Sequence, residues 1–490
     1  MPESPSSDTQ TTAAVVLATT PGAGLTCGDG TLLQRVTDQL ATMPVRAVHV
    51  VARAPAGGDS WSPSLADDLR SVADTAKSAT GPVLIVAGDV VAHDEALSAL
   101  VRHPARGTSA LVALDTLGPG PLRPPVRVER GHVVSAGSSF HRVASANGTF
   151  RGVLQVGVAD LGGLAATATE LAEYIEGGRL GPVSGSEVAD LLLAGLVRAG
   201  MAVRAAPLGQ LHADRVIGQP SADRALRQLA EVDERKVRLA AAVKTNDGLF
   251  ATYGVSTWSK HLVMVAARLG LTPNAITGFS VGLAFLAAIW FSSGSRAAMV
   301  AGGLLMLASF VLDCVDGQLA RYTRAFSPLG AWLDATFDRV KEYVAYVGLA
   351  IGYAGVSFDS PNSGVWTLAV AALVLQMLRH MIDFSYAGAV ADARSWARPP
   401  ISLLVPEDGP VVEPDRAGGN TVVRLADKMQ GDTVTRWLKK VIVLPIGERM
   451  VLIAVTAAFF DARVTFLALL VWGGVAALYS LTGRIARSLA

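Results

Sequence analysis

Apolar and polar positions divide the chain into two regimes. In the first, short β-branched runs alternate with helix-like patterns, at 14–18, 32–40, 47–51, 83–87, 95–101 and 110–114. This alternation predicts an α/β domain over 13–215 with a mainly parallel, Rossmann-like sheet. A charged, helix-favouring stretch at 222–243 follows, within an expected helical linker over 216–250. Residues 1–12, rich in Ser, Thr and Pro, lack a basic-then-apolar profile and are expected to be a disordered start, leaving the first domain in the cytoplasm.

Beyond Lys260 the second regime begins. Six apolar runs, near 274–292, 297–320, 329–352, 364–386, 447–461 and 464–483, predict six transmembrane helices in an α-helical membrane domain over 251–490. The mean hydropathy of +0.39 over 490 residues agrees with a large membrane portion. With six spans and a cytoplasmic start, the inner segments carry Lys260, Arg268, Arg321, Arg324, Lys428, Lys439, Lys440, Arg484 and Arg487. The outer loops hold Arg296 and Arg463, so the positive-inside bias supports this orientation in the cell membrane. A polar connection opens at Arg398-Pro399-Pro400. The stretches 258–271 and 423–441 mix apolar with basic residues, as helices lying at the membrane surface do.

A net charge of +1 without a basic tract excludes a nucleic-acid partner. Two cysteines, Cys27 and Cys314, one in each regime, exclude a disulfide framework and a Cys-based zinc site.

Charges that interrupt the apolar runs carry the chemistry. Asp313, Asp316, Gly317 and Ala320 fall at i, i+3, i+4 and i+7, on one helix face; Gly330, Asp334 and Asp338, four apart, form a second stripe. At 1.5 Å per residue, Asp313 lies roughly 24 Å into the second span, near its cytoplasmic end. Asp334 and Asp338 lie near the cytoplasmic start of the third, so the four carboxylates are expected to converge in one cytoplasm-facing pocket. Gathered acids repel one another and demand a cation. Oxygen-only ligands point to Mg²⁺ or Mn²⁺, held with the phosphates of a substrate, and Arg321 is placed to hold a diphosphate.

The pattern D-x2-D-G-x2-A-R-x8-G-x3-D-x3-D is matched at every fixed position and resembles that of the CDP-alcohol phosphotransferase (phosphatidyltransferase) family. Pro273-Asn274-Ala275-Ile276-Thr277 resembles the family's entry to its first span. The resemblance, covering about 250–490, implies six helices, a homodimer and two metal ions. It makes Asp313, Asp316 and Asp334 metal ligands and Asp338 a ligand, the general base, or both. It also implies that Gly317, Ala320, Arg321 and Gly330 contact CDP, with Asn274 and Thr277 lining its pocket. In the implied reaction an acceptor hydroxyl attacks a CDP-alcohol and CMP leaves. Arg379, His380 and Asp383 at the end of the fourth run, and Glu448 and Arg449 at the start of the fifth, lie at the depth of the aspartates. Arg379 or Arg449 is expected to bind an anionic acceptor such as a polyol phosphate. Two other readings are a cation-coupled transporter, which requires acids near mid-bilayer, and an Asp-rich prenyltransferase, whose patterns lack the Gly, Ala and Arg at these offsets.

In the first domain, the run from Leu17 to Leu25 with Gly22 and Gly24, and Gly88-Asp89 closing another strand, resemble the nucleotidyltransferase fold, with Asp89 as its metal-binding acid. That fold's Arg and Lys after the Gly-rich turn are missing, since no Lys or Arg occurs between Met1 and Gln34. A degenerate, inactive domain is expected. The order of domains is similar to that of bifunctional inositol-phosphate cytidylyltransferase/di-inositol-phosphate phosphate synthases, which suggests an inositol-phosphate acceptor.

Overall fold

The computed structural model describes residues 12–53, 60–61, 64–103, 107–114, 118, 120–243, 248–356, 362, 364–395 and 441–488. The expected start at 1–12, the polar connection from Arg398 and the surface helix at 423–441 lie, but for Thr12 and Val441, outside the described residues. The chain divides into two compact units, with a boundary between Arg238 and Leu239.

The first unit is built on strands β1 (Thr12–Ala18), β2 (Val45–Ala52), β3 (Ser60–Trp61), β4 (Val83–Ala87), β5 (Ser109–Ala113), β6 (Pro125–Glu129), β7 (His132–Ala136), β8 (Gly148–Val156) and β9 (Arg204–Pro207). Their order in the sheet is β3-β2-β1-β4-β8-β5-β9-β7-β6. Strands β3, β2, β1 and β4 are parallel, as are β5 and β9. Strand β8, however, runs antiparallel to β4 and β5, and β7 antiparallel to β9 and β6. The sheet is therefore mixed, which corrects the mainly parallel expectation. The β6–β7 hairpin turns on Arg130 (φ 50°) and Gly131 (φ 81°), the left-handed pair that a two-residue loop requires.

Helices α2 (Leu65–Ser78), α4 (Leu161–Glu176) and α5 (Val188–Arg198) share a core with one sheet face through Leu69, Leu171 and Leu192. Helices α1 (Leu32–Ala41) and α3 (Asp94–Val101) share a core with the other through Val36 and Leu97. The strand β4, covered on both faces, is buried at every residue, which is why its sequence is a continuous apolar run. The charged stretch expected as one helix forms two, α6 (Gln219–Ala230) and α7 (Glu234–Ala242), and α6 buries Ala222 and Ala225 with Leu32, Val91 and Val216.

The second unit is helical. A π-helical turn (Phe250–Val255) leads into α8 (Ser256–Arg268), which leaves Trp258 and Val265 exposed while burying Val263 and Ala266. Then come α9 (Pro273–Ser292), α10 (Arg296–Thr323), α11 (Pro328–Ala354), α12 (Gly364–Ser395), α13 (Ile446–Phe459) and α14 (Ala462–Ser488), a helix at each of the six expected places. Among the described residues, four helices are long and apolar enough to cross a membrane: α9, α10, α12 and α14. The α13 helix, at 14 residues, is short of the ~20 a bilayer requires, and α11 carries Asp334, Asp338, Arg339, Lys341 and Glu342.

Backbone contact sets the packing around α9. A β-carbon at Gly348 would lie 2.4 Å from the Ala288 carbonyl oxygen, and one at Gly352 would lie 2.0 Å from that of Phe291. Only glycine lets α11 approach α9 so closely, and the two glycines, four apart, form one stripe. Ser280 of α9 donates to the Ser309 carbonyl of α10 at 2.9 Å, and Ser309 donates to the Ser280 carbonyl at 2.7 Å.

Candidate active site

Two helix beginnings and one helix end assemble the site. The Pro-Asn-x-x-Thr run is the first turn of α9: Thr272 caps it, its oxygen accepting from the Ala275 N–H, and Pro273 supplies the fixed φ of a first helical position. Arg324, in the left-handed conformation (φ 58°), ends α10; Ser327, accepting from the Gly330 N–H at 2.8 Å, and Pro328 start α11. This short connection lays the two aspartate stripes side by side.

Carboxylate oxygens of Asp313, Asp316 and Asp334 come within 4.8 Å of one another. Asp316 is buried and accepts a 2.6 Å hydrogen bond from the Thr277 hydroxyl, while Asp334 is exposed and marks the open side. Three oxygens at this separation, with no nitrogen or sulfur among them, fit a hard divalent cation. Asp338 is engaged differently, its Oδ1 lying 3.1 Å from the Lys341 ammonium. Lys341, 3% exposed, also donates to Asp313 and, at 3.3 Å, to the Ser280 hydroxyl.

The other expected residues surround this cluster. A β-carbon at Gly330 would lie 3.0 Å from Asn274 Oδ1, and one at Gly317 would lie 3.4 Å from the Arg321 guanidinium. Ala320, half-buried, is one turn on from Gly317 along α10. Arg321 Nε donates to the Ala242 carbonyl at 2.5 Å.

The two arginines expected to bind an acceptor differ. Arg449 is buried and closes its fork on Glu342, Nε to Oε1 at 3.0 Å and Nη2 to Oε2 at 3.2 Å, with Nη1 donating to the Leu444 carbonyl. Its charge is matched inside the protein by Glu342. Arg379 donates to neutral groups, the Gln376 amide oxygen at 3.1 Å and the Val443 carbonyl at 2.7 Å. His380 lies 3.3 Å from the Gln376 amide nitrogen. Neither Lys341 nor Glu342 was expected from the sequence. Their signal was present, since Lys341 falls three residues after Asp338 and seven after Asp334, on the same stripe, and any charge in a spanning helix is costly.

Residues 270–405 match the family described as CDP-alcohol phosphatidyltransferase, and the C-terminal part of the chain carries a domain of that family. The archaetidylinositol phosphate synthase of Pyrococcus horikoshii is 37% identical over 86 residues, 18% of this chain and 44% of its own. The phosphatidylinositol phosphate synthase of Cutibacterium acnes is 32% identical over 24% of this chain and 57% of its own. The bifunctional IPC transferase and DIPP synthase of Rubrobacter xylanophilus is 33% identical over 34% of this chain and 37% of its own. The chain thus spans about half the length, or less, of these relatives. Membrane-length helices and a domain of this family make the chain a membrane protein.

In the first unit a cavity of about 750 Å³ opens beyond the ends of β1 and β4, lined in part by Thr20, Gly22, Asp89, Ser184, Glu187 and Asp190. A β-carbon at Gly22 would lie 2.6 Å from the Val216 carbonyl oxygen and 2.8 Å from Asp89 Cβ, so glycine brings the turn against Asp89. Asp89 is held by Arg215 through two bonds, from Nε at 2.7 Å and Nη2 at 3.0 Å, and by the Thr20 hydroxyl at 2.9 Å. Asp190, buried 3.6 Å from Arg215 Nη1, has its carboxyl pushed up to about 7 by burial, against the pull of the guanidinium. The folded unit therefore holds a proton there that the unfolded chain releases near pH 4. Stability is expected to fall as pH rises from about 4 to about 7, by ~1.4 kcal/mol per pH unit at most, and to lose nothing further above 7. Hydrogen exchange of β1 and β4 amides in the full chain, corrected for intrinsic rates, should show this slope; Asp190→Asn should flatten it.

Proposed function

We propose that the second unit transfers a substituted phosphate group from a CDP-linked alcohol to an acceptor hydroxyl and releases CMP. The observation that carries this reading is the convergence of Asp313, Asp316 and Asp334 within 4.8 Å, with Asp338 one turn further along α11. Asp313, Asp316 and Asp334 would hold Mg²⁺ or Mn²⁺, which when bound supplies the positive charge that grips a diphosphate and stabilises departing CMP. Thr277 fixes the Asp316 carboxylate for that task. Gly317, Ala320 and Gly330 leave room for the nucleotide against the helix backbones, beside Asn274, and Arg321 neutralises diphosphate charge. Asp338 accepts the proton of the acceptor hydroxyl. The acceptor oxygen bonds to the β-phosphorus as the bond from that phosphorus to the bridging oxygen breaks.

The matched relatives are named as inositol phosphate lipid synthases, which supports a phosphorylated polyol as acceptor. Arg379, whose recorded hydrogen bonds go to neutral oxygens, is the residue proposed to meet its phosphate. The six helices are proposed to span the membrane with the site and the first unit cytoplasmic, in a homodimer. The transporter alternative finds no support in these relatives. Purified full chain with Mg²⁺ and the acceptor inositol 1-phosphate should release CMP from CDP-diacylglycerol or CDP-inositol; no CMP from any CDP-alcohol would refute the reading.

The first unit is proposed to be a nucleotidyltransferase-like domain without catalysis. The doubly bonded Arg215 supports this, because a guanidinium already occupies the carboxylate that a metal would need. Full chain incubated with CTP, Mg²⁺ and inositol 1-phosphate is expected to yield no pyrophosphate; steady pyrophosphate release would overturn the proposal.

A further inference from the structure

Between Asp313 and Asp338 the structure has a cation of its own. The Lys341 ammonium donates to Asp313, lies 3.1 Å from Asp338 Oδ1 and donates to the Ser280 hydroxyl at 3.3 Å. Its surroundings are built to keep it there. Lys341 is 3% exposed and Ser280 0%, and the Ser280 hydroxyl is itself anchored on the Ser309 carbonyl. A divalent ion of this class sits about 2.1 Å from each carboxylate oxygen it binds. An ion shared by Asp313 and Asp338 would have to occupy the space that the ammonium fills. The triad of Asp313, Asp316 and Asp334 is open by contrast, with Asp334 exposed.

We propose that Lys341 takes the place of a second divalent ion, so that the centre holds one ion, on Asp313, Asp316 and Asp334, and Asp338 stays outside the coordination shell. This departs from the two ions implied by the family resemblance, and it rests on the metal-dependent reading above. The arrangement has a functional logic. An ammonium cannot be exchanged with the medium, so half of the site's cationic equipment is permanent. Asp338, paired with Lys341 instead of a metal, keeps a carboxylate oxygen for the acceptor proton.

The test counts ions without using turnover. Purified full chain is titrated with Mn²⁺ and bound metal is measured by equilibrium dialysis and electron paramagnetic resonance. Wild type is expected to bind one Mn²⁺ per chain, with the spectrum of an isolated ion. Lys341→Met is expected to bind two, with the exchange-broadened spectrum of a coupled pair, and Lys341→Arg to remain at one. Two ions in the wild type would overturn the inference and leave the metal-dependent reading standing. No bound ion would overturn both. One ion in a folded Lys341→Met chain would show that Lys341 excludes nothing, which also overturns the inference. The wild-type count decides the central claim even if the Met variant does not fold.

Discussion

Replacing Asp338 by Asn should lower CMP release by about 10²–10⁴-fold, the usual cost of removing a positioned general base. Asn preserves the shape of the side chain and its place one turn beyond Asp334, so the fold should persist. On the one-ion arrangement, Mn²⁺ binding should persist as well, because the carboxylates that converge are those of Asp313, Asp316 and Asp334. The expected pattern is a collapse of kcat with unchanged KM for the donor and an unchanged ion count. Assaying CMP release and Mn²⁺ binding on the same preparation separates the alternatives. Loss of both would make Asp338 a ligand, and undiminished turnover would remove it from the mechanism.

The second large effect concerns stability. Glu342, 0% exposed, accepts from both arms of Arg449, from the Tyr346 hydroxyl at 2.6 Å and from the Gln376 amide at 3.5 Å. Glu342→Leu strips a buried guanidinium of its partner, which costs about 3–5 kcal/mol in comparable buried pairs. Removing both charges, as in Glu342→Leu with Arg449→Met, should recover most of that loss, because the desolvation of the pair disappears with it. Unfolding of the purified chain in detergent, followed through the full double-mutant cycle, measures the coupling. A single Glu342→Leu chain within 1 kcal/mol of wild type would mean that the pair contributes nothing.

How much of this was legible in the sequence depends on the range of the interactions. The helices of the second unit were readable because each apolar run is long and local. The meeting of Asp313, Asp316 and Asp334 was readable because helical spacing fixes a face and depth fixes a level. Strands at 14–18, 83–87 and 110–114 were found from their β-branched runs. The β6–β7 hairpin was missed: its turn is Arg130-Gly131, whose first residue is a poor predictor of left-handed backbone. With β8, that hairpin gives the sheet its antiparallel pairs. The pairing of Glu342 with Arg449 spans 107 residues and leaves no local trace. Without it Arg449 looked like a free cation at the right depth. Lys341 stands three residues past Asp338 on the same stripe, and a charge inside an apolar run is its only local mark; that it pairs with Asp313 of α10 depends on packing between helices.

The contact of α11 with α9 lies far from the site. Gly348 and Gly352 lie fourteen or more residues beyond Asp334, roughly 20 Å along the helix. There α11 touches carbonyl oxygens of α9, leaving no compressible side chain between them. Such a joint holds α11 at its far end without play, while Lys341, bonded to Asp313 and Ser280, ties the same helix to α10 and α9 beside the site. On the proposed reaction, a ligand would meet first the exposed Asp334, at the end of α11 away from this joint.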